Sequence, residues 1–189
     1  AYGGSLDGRM RLLLEVIGAI RRRAGEDFPI LLRLSADELV PGGRSLAETR
    51  LVAPMLAEAG VSAFDVSAGV FPERSWRILP PMGTPLAINA QLAAAVREAA
   101  SVPVIVVGRL NDPRLAEDVL RRGEADMVML GRSLLADPEW PRKAREGAFE
   151  DIAPCTGCGQ GCIQARGRGQ PMTCVINPRL GREGDPPPG

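Results

Sequence analysis

Four short apolar runs, each set off from the next by a stretch of helical periodicity, constrain this 189-residue chain more than any other feature. The runs occupy residues 28–34, 63–67, 102–107 and 125–130. Strands apolar almost throughout, instead of at alternate positions, are buried on both faces, which marks a parallel sheet covered by helices. Leu6, Met10, Leu13, Leu14, Ile17 and Ile20 recur at helical spacing over residues 5–24, and Gly25 is the stop. Ser45 caps a helix to residue 59, with Glu48 completing a capping box and Gly60 ending it. Further helices are expected over 88–100, 113–122 (stopped by Gly123) and 138–147. Four strands and five helices up to residue 147 make a run of βα units: half of an eight-stranded (β/α) barrel, or a four-stranded open sheet. Periodicity admits both.

Beyond residue 147 the texture changes to Gly, Pro and little periodicity, and all four cysteines fall there. Residues 1–147 thus read as a partial barrel and 148–189 as a cysteine-bearing segment with a Pro-rich linker at its end. Cys155, Cys158, Cys162 and Cys174 are spaced C-x2-C-x3-C-x11-C within a glycine-rich stretch whose backbone can wrap closely. Three readings stand side by side. Disulfides are the plain structural one, though a parallel α/β body suits a reducing cytosol. A structural zinc site usually pairs two short knuckles across a longer loop. A [4Fe–4S] cluster takes a compact cysteine triplet plus a remote fourth.

Charge and composition remove other classes. Lys+Arg and Asp+Glu both number 23, so no basic excess marks a nucleic-acid partner. No 18-residue apolar run marks a membrane span and no signal peptide opens the chain, so the protein is expected in the cytoplasm. The chain starts at Ala1 without Met and ends in Pro-rich sequence; both ends read as cut. With no histidine, Ser-His-Asp and Cys-His nucleophile systems and His-ligated zinc are out. Lys143 is the lone lysine, in a charged helical stretch where solvation is the plain reading.

Two strand ends carry chemistry. Residues 104–107 run into Gly108-Arg109 and residues 127–130 into Gly131-Arg132. In a (β/α) barrel the active site lies at the carboxyl ends of the strands, and the loops after the last two commonly bind phosphate. Glycine admits close backbone approach and arginine grips phosphate bidentately. Arg33 interrupts an otherwise apolar strand, so it is either buried in a salt bridge or aimed into the barrel mouth. Asp37, Glu38 and Asp65 show no clear pairing.

These stretches resemble a family: the FMN- and iron–sulfur-containing oxidoreductases related to old yellow enzyme, which include 2,4-dienoyl-CoA reductase, 2-enoate reductase and trimethylamine dehydrogenase. The resemblance rests on Tyr2-Gly3-Gly4-Ser5-Leu6 with Arg9, on Leu32-Arg33-Leu34-Ser35, and on Asp126 to Arg132. It continues through Leu135-Ala136-Asp137-Pro138, the four cysteines and the trailing Asn177-Pro178-Arg179. It implies the last four strands of a TIM barrel followed by a cluster segment, with the first half-barrel absent. It further implies that Arg33 meets the flavin N1–C2 carbonyl edge, that Gly108-Arg109 and Gly131-Arg132 grip the FMN phosphate, and that the four cysteines ligate a [4Fe–4S] cluster. FAD and NAD(P)H are expected on a following nucleotide-binding domain. The implied activity is NAD(P)H-driven reduction of an activated C=C bond in a small-molecule enoate or enoyl thioester. An amine dehydrogenase of the same family is the near alternative; a phosphate-binding barrel with a zinc ribbon is the distant one. The sequence departs from the dienoyl-CoA reductases where Phe71 stands near the place of their histidine, in the loop Gly69-Val70-Phe71-Pro72-Glu73-Arg74. Phe71 and Arg74 are the candidates for substrate contact, Tyr2 has a packing role, and no catalytic proton donor is identified. A half-barrel alone exposes edge strands and apolar flanks, so the isolated chain is expected to be inactive and to dimerise or precipitate.

Overall fold

A computed structural model describes residues 2–185. Ala1 and residues 186–189 of the expected Pro-rich linker lie outside the described residues. Four strands, β1 (Leu31–Ser35), β2 (Ala63–Ser67), β3 (Val104–Val107) and β4 (Met127–Met129), form one parallel sheet in the order β1-β2-β3-β4. Among the described residues eight α-helices accompany them: α1 (Leu6–Ala24), α2 (Leu46–Glu58), α3 (Ser75–Ile78), α4 (Ala90–Ala99), α5 (Pro113–Arg121), α6 (Arg132–Ala136), α7 (Trp140–Arg145) and the single turn α8 (Ala165–Gly167).

Register decides between the two architectures left open. Leu32, Phe64 and Val104 lie in one row across the sheet, and Leu34, Val66, Val106 and Val128 in the next. All seven belong to or pack on the main core, where they meet Met10 and Ile17 of α1, Val52 and Leu56 of α2, Ala93 and Val96 of α4, and Val119 of α5. The long helices therefore cover one face. A doubly wound open sheet would place helices on both faces and reverse strand order at a switch point. Sequential order with helices on one side is the geometry of a barrel segment. Arg33, Asp65, Ile105 and Met127 share a row of the opposite, inner face, where Leu31 and Met127 are exposed.

Local signals mostly act as expected. Ser45 Oγ accepts from the Glu48 amide, and Ser5 Oγ from the Gly8 amide. The capping box does not close from the other side: the Glu48 carboxylate pairs instead with Arg9 of α1 at 2.9 Å, a stronger partner than a backbone N–H. Helices α3 and α6 were not expected; four and five residues are too short to show a period. Lys143 is not solvated. Its ammonium lies 2.6 Å from Asp137, whose side chain is buried. Among the described residues no helix is long and apolar enough to cross a membrane.

Candidate functional site

The carboxyl ends of β1, β3 and β4 open into a cleft of about 220 Å³. Its lining brings together Arg33, Gly108, Arg109, Gly131 and Arg132, with Cys155 and Gly157 of the cysteine segment on its far wall. Among the described residues the lining holds three arginines and no carboxylate. That donor set suits a ligand with an anionic end.

Local backbone explains why the arginine follows a glycine after β3. Gly108 has φ +130°, and a Cβ there would lie 2.8 Å from Asn89 Nδ2. Arg109 itself takes φ 55°, the left-handed region that a non-glycine residue keeps only where the surroundings hold it. The surroundings are Asn89, buried before α4, which donates from Nδ2 to Val107 O at 2.7 Å and accepts from Arg77 Nη2 at 3.0 Å. Sequence reasoning missed this Arg77–Asn89 buttress, since the helix expected over 88–100 takes Asn89 into its first turn. Burial pulls the Arg77 guanidinium below its usual pKa, with Asp37 acting the other way.

Both strand-end guanidiniums are partly engaged. Arg109 Nη1 donates to Thr84 O at 2.5 Å and Pro81 O at 3.1 Å, and Arg132 Nη2 to Pro80 O at 2.6 Å. The segment after α3 thus straps the two arginines together, and its Met82 amide donates to Gly157 O at 2.9 Å. Arg33 satisfies both sequence alternatives: it stands on the inner face, half exposed, and is salt-bridged to Asp65 at 2.5 Å. Asp65 is therefore paired after all, through a strand register that the sequence does not show. Asp37 and Glu38 order their own loop by accepting from the Leu39 and Leu46 amides and the Arg44 amide.

The substrate candidates stay apart from the cleft. Phe71 is exposed, and Arg74 Nε donates to Leu39 O at 2.9 Å, which makes it a tie between two loops. Tyr2 does not pack in the core; exposed, it donates to Glu15 at 2.6 Å.

The four cysteines are unpaired, so the disulfide reading falls. They line one small cavity together with Arg132, Leu135 and Ile176. Three glycines build it. Gly157 and Gly159 take φ +78° and +70°, and a Cβ on Gly161 would lie 2.3 Å from Thr173 O. That close approach, closed by Thr173 N donating to Gly161 O at 2.8 Å, brings the neighbours Cys162 and Cys174 to the same wall. Gln164 N donates to Gly159 O at 3.0 Å, winding the short π-helix Gln160–Gln164 that carries Cys162. The Gln160 amide holds the Cys158 thiol below its usual pKa, helped by the Thr156 hydroxyl and opposed by burial. The Ile176 amide donates to Cys174 Sγ at 3.4 Å. Amide N–H groups aimed at sulfur favour thiolate, the form that ligates metal. Among the described residues no three Cys, Asp or Glu side chains are placed to share a single metal ion. The sulfurs surround a space instead.

Cys155 and Arg132 line both cavities, so the two sites share a wall.

Comparison with known proteins gives the family. The sequence pattern of the NADH:flavin oxidoreductase / NADH oxidase family matches residues 1–151. NADH oxidase of Thermoanaerobacter brockii is 44% identical over 97% of this chain and 28% of its own length. Cinnamate reductase of Clostridium sporogenes is 34% identical over 96% of this chain and 29% of its own. The structure of a 2-naphthoyl-CoA reductase in complex with 2-naphthoyl-CoA superposes with a TM-score of 0.88 at 33% identity, over 97% of this chain and 28% of that one. The chain therefore spans under a third of the length of these relatives, and its sheet corresponds to part of a TIM barrel. It belongs to the NADH:flavin oxidoreductase / NADH oxidase family, in the old yellow enzyme-like iron–sulfur subgroup, and its four strands form part of that family's barrel.

Proposed function

We propose that this chain is the FMN-holding and cluster-holding portion of an NAD(P)H-driven reductase that acts on an activated C=C bond of the enoate or enoyl-CoA type. The observation that carries the reading is the shared wall. Arg132 and Cys155 belong at once to a cleft built for an anion and to a cavity ringed by four thiols. Gly108-Arg109 and Gly131-Arg132 hold the phosphate of FMN: each guanidinium is anchored to the 80–84 strap by one edge and keeps N–H groups for the anion. Arg33, on the inner face of the cleft, would meet the N1–C2 carbonyl edge of the ring, where its charge would favour the reduced anionic form. FMN supplies hydride transfer, and a [4Fe–4S] cluster on Cys155, Cys158, Cys162 and Cys174 supplies passage of single electrons. Four thiols lining one cavity, three close in sequence and one remote, fit a cluster, whereas structural zinc usually pairs two short knuckles across a longer loop.

The remaining parts lie on segments outside this chain: the first half-barrel with the proton donor, and a domain binding FAD and NAD(P)H. Exposed Phe71, with Arg74, is what this chain's β2 loop offers a small-molecule substrate. The names of the cinnamate and 2-naphthoyl-CoA reductases support reduction of an unsaturated acid or thioester. Unpaired cysteines suit the cytoplasm.

The test is anaerobic purification of the full-length protein, followed by metal and flavin analysis and turnover with a cinnamate-type enoate. A brown protein with one FMN, iron in the ratio of a [4Fe–4S] cluster and NAD(P)H-driven loss of the alkene absorbance is expected. A colourless protein with one zinc overturns the reading. A brown flavoprotein that oxidises a secondary amine, but leaves the enoate untouched with NAD(P)H, transfers it to the amine dehydrogenases.

A further inference from the structure

Asp65 lies beside Arg33 in the register of β1 and β2, on the sheet face that the long helices leave open. Its side chain is 7% exposed. Arg33 Nε donates to Asp65 Oδ2 at 2.5 Å, and Arg33 Nη2 lies 2.5 Å from the same oxygen. The second oxygen, Oδ1, is buried and has no hydrogen-bond partner among the described residues. An ion pair kept for stability uses both oxygens and leaves none buried and unmet. This pair does neither, so the arrangement serves the arginine's placement. Arg33 Nη2 also meets Met129 Sδ at 2.9 Å. The Nε–Nη2 edge is thereby held from two strands, and Nη1 is the end without a protein acceptor among the described residues.

We propose that Asp65 is the positioning residue for Arg33, clamping the Nε–Nη2 edge so that the Nη1 end faces the electron-rich edge of a flavin in the strand-end cleft. The inference rests on the flavin reading of that cleft. A long arginine side chain that is half exposed follows solvent unless something fixes it, and a charge acts on a ring only where it is held. Reduction adds negative charge to the ring edge, so a fixed guanidinium stabilises the reduced form more than the oxidised one. Releasing the clamp lowers the flavin potential even though Asp65 does not touch the ring.

The experiment uses the full-length flavoprotein, with the flavin midpoint potential read spectroelectrochemically and the FMN Kd by fluorescence quenching. Asp65→Asn, Asp65→Glu, Arg33→Gln and the double variant Arg33→Gln/Asp65→Asn are compared with the unaltered protein. Arg33→Gln lowers the potential. Asp65→Asn lowers it in the same direction by less, weakens FMN binding, and adds nothing in the Arg33→Gln background, because its effect runs through the arginine. Asp65→Glu keeps the charge but moves the oxygen; a lowered potential there shows that geometry is the cause, and it carries the test if Asp65→Asn does not fold. An unaltered potential in Asp65→Asn or Asp65→Glu beside a lowered one in Arg33→Gln overturns the inference, as does an Asp65→Asn shift that persists undiminished in the double variant. An unaltered potential in Arg33→Gln refutes the flavin placement itself.

Discussion

The half-barrel and the cysteine segment are one continuous chain, held in shape by opposite means. The half-barrel owes its order to burial: Phe64, Val66, Val104, Val106, Leu56 and Val96 are all fully enclosed between sheet and helices. In the cysteine segment Ile152 is the one buried apolar side chain among the described residues, while Met172 and Val175 are exposed. What fixes the segment is a set of polar ties reaching across from the barrel. Asp137 Oδ2 accepts from the Ala153 amide at 2.9 Å, and Asn111 donates to Cys155 O at 3.2 Å. Farther along, Asn177 donates to Leu135 O at 2.9 Å. Burial gives a core that tolerates repacking, whereas single directional ties fail one at a time. The comparison implies that damage to the barrel is global and damage to the segment is local.

The largest test of that difference is Phe64→Ala, which opens a cavity between β2 and the helices and costs about 4 kcal/mol. Urea unfolding followed by both far-ultraviolet dichroism and flavin fluorescence should show one transition moved to lower urea. Two separate transitions would show that the halves are not coupled in the direction argued. Next comes Asp137→Ala, which removes a buried carboxylate from Lys143 and from the Ala153 and Glu139 amides, at a cost of about 3 kcal/mol. Limited proteolysis should then cut between residues 150 and 185 while the barrel stays whole. Uniform degradation of both would contradict the local picture.

The same contrast explains what was legible in the sequence. The strands and long helices announce themselves because burial writes a period into the chain, and Arg33 is visible because it breaks one. Gly-Arg pairs at two strand ends and the cysteine spacing are legible for a different reason: residue types with special chemistry stand close together in sequence. The Arg33–Asp65 pair is not legible, because it depends on which residues of β1 and β2 fall side by side. Nor is the Arg77–Asn89 buttress or the strap that joins Arg109 and Arg132, since each is a contact between loops far apart in the chain. Glu48 misleads for the same reason: the local capping box is complete in sequence, and a distant Arg9 takes its carboxylate.

Gly161→Ala probes the segment from inside. The added methyl would meet Thr173 O and force the 172–174 backbone away, an overpacking effect of about 2 kcal/mol. Gly161 directly precedes Cys162 and the displaced backbone carries Cys174, so under the proposed cofactor content iron should fall while the FMN Kd stays near that of the unaltered protein. Loss of flavin in step with iron would mean that the shared wall through Arg132 and Cys155 transmits damage, and that the two regions are less separable than their packing suggests.

The smallest effect is acid sensitivity of the tie itself. Burial raises the pKa of Asp137, but the Lys143 ammonium and the Ala153 and Glu139 amides outweigh it and hold the carboxyl below its usual range. A group whose folded pKa is depressed stabilises the fold above its unfolded pKa, about 3.9, and that contribution is lost as pH falls through the lower folded value. Near neutrality the tie is therefore at full strength, and it weakens only below about pH 4. Asp137→Asn keeps an oxygen for the amides but loses the charge, so its cysteine segment should be looser at pH 7 and should lack the acid step. Hydrogen exchange of residues 150–160 in both proteins, at pH values on either side of that step, isolates this carboxyl from every other acid-sensitive group they share. Parallel acid profiles in the two would show that Asp137 does not govern the docking of the segment.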